Sequence, residues 1–165
     1  MPLFGKKSDK NNPVIPADEL KSRLLGLNRP SAPYRISDGQ SEGVDLVAEW
    51  KIMDPGWFEV FDDAKVEKVF RIYLKLDAEK SELRAQDREF TVSWSAGIPQ
   101  LSLEKSAFKG QMTSIQFGTS CAFTETLAPG QVYKYRFNTN ELKKPIQDLC
   151  TSCGWSYKGV SFGKL

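Results

Sequence analysis

Chemistry near neutral pH most often begins with histidine, and this chain of 165 residues has none. Its absence removes the commonest general base, the usual serine and cysteine triads and the histidine-rich metal sites. Three cysteines and a set of carboxylates remain. Cys150 and Cys153 have the C-x-x-C spacing that closes a redox disulfide or supplies half of a zinc site, which Cys121 and a carboxylate would complete. The pair falls at the C-terminal end of a predicted helix, where the dipole opposes a thiolate. Buried structural thiols are therefore the expected state, and no cofactor or metal is expected.

Among the carboxylates, Asp87 and Glu89 flank Arg88 at a predicted strand irregularity, a kind of place where active sites occur. Glu125 shares the parity of Phe123 and Leu127, so an inward carboxylate with a raised pKa would make it the best single general acid. The bland reading of Glu125 is a cross-strand pair with Lys134 or Arg136. Trp50 and Trp94 follow the apolar parity of their strands and belong to the core. Trp57 and Trp155 stand beside glycines at element ends and are expected at the surface. With Tyr157, Lys143 and Lys144 they form the expected ligand or partner face.

The elements that would position these residues are mainly strands. Val66–Trp94 puts Phe70, Ile72, Leu74 and Leu76 on one parity, turns at Asp77–Ser81, and returns with Leu83 and Ala85 on odd positions but Phe90, Val92 and Trp94 on even ones. That change of parity predicts a β-bulge within Gln86–Glu89. Gly43–Met53 alternates as a strand, Asp54-Pro55-Gly56 signals a turn, and Trp57–Phe61 reads as the returning strand. A second hairpin is predicted over residues 121–137, and short strands at Leu101–Leu103 and Gln111–Phe117. Pro16–Leu25 reads as a short helix. A later helix carries Leu142, Ile146, Leu149 and Cys153 on one stripe, with Lys143, Lys144, Gln147 and Asp148 making it amphipathic. Gly154 ends it, and a last strand follows.

The fold class implied is α+β: a mostly antiparallel sheet, sandwich or partly closed barrel, with a short N-terminal helix and a C-terminal helix before the final strand. Residues 1–14 are too polar to bury much and are expected to be a tail, leaving 15–165 as one β-rich domain. There is no apolar run of transmembrane length and no signal-peptide core, so the cytoplasm is the expected address. Charge is uneven: residues 1–30 carry six basic and three acidic side chains, 31–125 eleven and sixteen, and 126–165 six and two. No dense Lys/Arg cluster interleaves with aromatics in the sequence, which argues against a nucleic-acid partner.

Two strings, GQMTSIQFGTS at Gly110–Ser120 and GWSYKGVSFGKL at Gly154–Leu165, resemble small bacterial domains catalogued without an assigned role. That resemblance implies no activity and no site residues. The strand-rich order with a late helix also resembles the tubby-like and LURP-one barrels, which implies a barrel threaded by its helix. The expected function is a non-enzymatic binding or interaction domain with a protein partner or small apolar ligand. The alternatives are a histidine-free hydrolase or isomerase using carboxylates, and a barrel that binds lipid.

Overall fold

Period-two alternation through the middle of the chain becomes a curled, half-barrel sheet that carries helices. The structure, a computed structural model, describes residues 13–63, 66–103 and 139–160, together with the backbone of five short strand segments outside those ranges. In chain order the elements are β1 (Gly5–Lys6), α1 (Ala17–Leu25), β2 (Tyr34–Asp38), β3 (Leu46–Trp50), α2 (Phe58–Asp63), β4 (Val66–Asp77) and β5 (Glu82–Ser95). They continue with β6 (Ile98–Leu103), β7 (Lys109–Gly110), β8 (Gln116–Phe117), β9 (Ala122–Ala128), β10 (Gln131–Arg136), α3 (Thr139–Ser152) and β11 (Ser156–Gly159).

The main sheet runs β1-β11-β5-β4-β3-β2. Its pairings are antiparallel except that β11 lies parallel to β5. Long β5 has β4 along one edge and, on the other, β11, β7 and β6 in turn. The hairpin β9–β10 forms its own two-stranded sheet, as expected for residues 121–137.

Register decides which side chains share a face. Leu74 pairs with Ala85 and Leu46, and Ile72 with Asp87 and Ala48. Side chains paired across strands point the same way, so these residues make one face. Leu20 and Leu24 of α1, Leu142, Ile146 and Cys150 of α3, Phe61 of α2, and Trp155 join them in the core. No helix among the described residues is long and apolar enough to cross a membrane.

Three expectations are corrected. First, the β4–β5 register runs unbroken from Lys68↔Thr91 to Asp77↔Glu82, so there is no bulge at Gln86–Glu89. The parity change is a change in which face is covered: Leu83 and Ala85 are buried on the helix side, and Val92 is buried on the opposite side. Second, Trp57–Phe61 is not a strand. Asp54 caps the turn by accepting a hydrogen bond from Gly56 N at 3.0 Å, Pro55 starts a 3-10 turn, and α2 follows. Third, α3 does not thread a closed barrel. Its apolar stripe packs into the core, while Lys144 on another side is exposed and pairs with Asp148 at 3.2 Å.

α3 ends in a Schellman turn. Gly154, at φ +81°, lets Trp155 N bond Cys150 O at 3.0 Å and Gly154 N bond Thr151 O at 3.1 Å. The turn is clasped from outside: Ile15 N bonds Cys153 O at 3.2 Å, and the Trp155 indole donates to Ile15 O at 2.8 Å.

Candidate functional site

Two groupings of polar side chains stand out, one sealed and one open. The sealed one begins with Asp87. Its place on β5 puts it on the helix-covered face beside Ile72, and Lys143 of α3 reaches it: Nζ lies 2.6 Å from Oδ2, with side-chain exposures of 8% and 0%. Ile146, Cys150 and Cys153 follow Lys143 at i+3, i+7 and i+10, so the same helical stripe carries the lysine and the core residues. Tyr157 enters from β11, opposite Leu83, and its hydroxyl is buried without a hydrogen-bond partner among the described residues. Burial, then the charge of Asp87, then Cys150, hold the phenol well above its ordinary pKa.

Such a cluster has the ingredients for moving a proton, but no solute reaches a carboxylate with no exposed surface. Glu89, on the same face as Asp87, lies 3.6 Å from Lys68 Nζ and is partly accessible. The two carboxylates singled out in the sequence thus have separate lysine partners. Trp155 and Tyr157, expected at the surface, are each 1% exposed. The Schellman turn swings them inward, where the Trp155 indole finds the Ile15 carbonyl. Lys143 is likewise drawn in by Asp87, and of that expected face only Lys144 and half-buried Trp57 meet solvent.

Cys150 and Cys153 are free thiols, both buried. Cys153 Sγ accepts a hydrogen bond from Arg23 Nη1 at 3.5 Å and lies 3.9 Å from Ser152 Oγ. Cys121 and the side chain of Glu125 lie outside the described residues.

The open grouping lies at the outer edge of β2. After Gly26 closes α1, Asn28 lays its amide along that edge: Nδ2 donates to Ile36 O and Oδ1 accepts from Ile36 N, both at 2.7 Å. One side chain thereby imitates the peptide of a further strand. The anchor fixes the following loop, and Lys51, just past the end of β3, supports it from below. Lys51 Nζ donates to Arg29 O at 3.2 Å and Pro30 O at 3.3 Å and stands 5.5 Å from the Trp57 ring centre. Arg29 Nη1 donates to Tyr34 Oη at 3.4 Å.

Arg35 projects from β2 on the face opposite the core and is 47% exposed. Between these groups is a shallow cleft of about 340 Å³ lined by Asn28, Arg29, Pro30, Arg35, Ile36 and Lys51. The lining holds three cations and no carboxylate. Beside the cleft, Glu49 is shared between Arg35 Nη2 at 3.3 Å and Arg71 Nε at 2.9 Å. Basic residues from separate elements thus border one accessible hollow, the kind of setting in which an anionic group is favoured.

Sequence reasoning picked Trp57 but missed Arg29, Arg35 and Lys51. They come from a loop, an edge strand and a strand end, and only the β2–β3 register brings them together. No family model, curated protein or solved structure matches the chain.

Proposed function

We propose that the chain is a non-enzymatic interaction domain that takes an anionic group of its ligand or partner in the cleft of Arg29, Arg35 and Lys51, with Trp57 beside it. The observation that carries this reading is a hollow lined by Arg29, Arg35 and Lys51, contributed by three separate stretches of chain, with no acidic residue in its lining. A hydrolase or isomerase built on Asp87 is disfavoured, because Asp87 and Lys143 are closed off from any substrate. A lipid carrier would need the interior that Leu24, Phe70 and Trp155 occupy. Two buried thiols fit a reducing, cytoplasmic setting.

Citrate, a small tricarboxylate, is a suitable probe in thermal unfolding. A ligand at ten times its dissociation constant stabilises by about 1.4 kcal/mol, which raises the Tm of a chain this size by roughly 3–6 °C. Citrate should raise the parent's Tm by that order, and the Arg29→Gln/Arg35→Gln variant by much less. Equal shifts in both proteins, or none in the parent, would remove the cleft from consideration.

A further inference from the structure

On the face of the sheet turned away from the helices, we infer a docking surface for single-stranded nucleic acid, built from Arg71 and Lys75 of β4, Arg84 and Arg88 of β5, and Lys158 of β11. None of these five residues lines the cleft, so the surface stands or falls apart from it. Register assembles it. Arg71 lies opposite Arg88, Tyr73 opposite Gln86, and Lys75 opposite Arg84, which has Lys158 on its other side. Two rows of like charge thus frame a row that holds a tyrosine. The sequence shows no dense basic cluster because these residues alternate with core residues and come from three strands.

Like charges directly opposite one another destabilise a sheet, and two such rows on one face are a cost that folding alone does not explain. Glu49 compensates Arg71 at 2.9 Å. Among the described residues, Lys75, Arg84, Arg88 and Lys158 form no ion pair, and the Nε atoms of Arg84 and Arg88 are buried without a hydrogen-bond partner. Lys75 and Lys158 are exposed, while Arg71, Arg84 and Arg88 are half-buried. Cations held in this state are complementary to phosphates.

The rings among the charges point to bases as well. The guanidinium of Arg88 stands 4.5 Å from the Tyr73 ring centre, and that of Arg71 4.6 Å from the Phe90 ring centre. A guanidinium held over a ring is a platform on which an unpaired base stacks. Val47, Val69 and Tyr73, on the same face, are at most 7% exposed, so the surface offers little hydrocarbon to a membrane. It is also small. Arg84 and Arg88 lie about 13 Å apart along β5, and β4, β5 and β11 together span about 10 Å. Asp77 and Glu82 occupy the next row beyond Lys75 and Arg84. A flexible single strand can turn away over Lys158 before reaching these carboxylates, which a stiff duplex cannot.

The test uses fluorescence anisotropy with the full chain and three labelled probes: decathymidylate, an abasic strand of equal length, and decaglutamate. Decathymidylate should bind best, its affinity falling with salt at a log–log slope of about −3, as about four phosphate contacts predict. The abasic strand should bind about fivefold or more weaker, the loss of one stacked base, and decaglutamate should likewise fall short. Lys75→Gln/Arg84→Gln should weaken decathymidylate about tenfold or more and roughly halve the slope, while leaving the citrate shift of the cleft intact. Because that variant removes a like-charge pair, its Tm should match or exceed the parent's. Lys158→Gln, at an exposed position, should take about 0.7 from the slope. An abasic strand or decaglutamate binding as tightly as decathymidylate, or an unchanged slope in these variants, would overturn the assignment whatever citrate does. If citrate fails but decathymidylate responds to the variants as stated, the cleft falls and the sheet face stands.

Discussion

Asp87 occupies a position that its strand neighbours Leu83 and Ala85 reserve for hydrocarbon, and its ion pair with Lys143 offsets the burial of its charge. A buried ion pair gains little over a well-packed apolar pair, yet removing one partner strands the other charge at a cost of about 3–5 kcal/mol. Asp87→Leu or Lys143→Met alone should therefore shift urea midpoints strongly downward. The double variant Asp87→Leu/Lys143→Met should recover most of that loss, and failure to recover would show that the pair has a role beyond mutual neutralisation. Tyr157 adds a signature in alkali. Its folded-state pKa is raised, so its contribution is fully present below the unfolded value of about 10 and is lost as pH climbs from there through the folded value. Tyr157→Phe should lose less stability than the parent between roughly pH 9 and 11 by circular dichroism. Asp87 was legible in the sequence as a notable carboxylate, but Lys143 as its partner was not, since nothing local links a strand residue to a helix so far along the chain.

At the level of elements, long alternating segments were readable and short ones were not. β4 and β5 have enough residues for period two to be unambiguous. Five residues with aromatics on both parities, Trp57–Phe61, fit a strand and a helical turn equally, and the cap from Asp54 with Pro55 behind it decides for the helix. The parity change in β5 misled because it assumed that one face stays covered along the strand. The cleft was unreadable for a different reason: its cations are ordinary wet-face residues until β2 and β3 are set in register. Asn28 is the element-scale feature most open to test. It satisfies the outward N–H and C=O of Ile36, as a covered edge requires. Asn28→Ala should cost about 1–3 kcal/mol from the lost hydrogen bonds. It should also increase self-association, visible as a rise in weight-average mass by light scattering, because an open strand edge invites pairing.

For the molecule as a whole, the α+β class followed from strand density and two helical stripes. The curled half-barrel answers to the partly closed barrel, one of the two forms expected. The parallel seat of β11 did not follow, because a parallel neighbour is reached by a crossover that leaves no local mark. The seat depends on Gly154. Its φ is +81°, and a Cβ there would stand 2.7 Å from Pro13 O. Gly154→Ala should destabilise by about 1–3 kcal/mol from the backbone conformation alone. The contact with Pro13 adds to this, so the Tm should fall by several degrees. The same clasp has a bearing on biosynthesis. Ile15 leaves the ribosome well before its partners Cys153 and Trp155, and the residue 82–85 stretch of β5 gains its second neighbour only when β11 emerges. A nascent chain halted before Ser156 would carry that stretch of edge unsheltered and, if halted before Lys143, would lack the ammonium that faces Asp87, so residues made late shelter those made early.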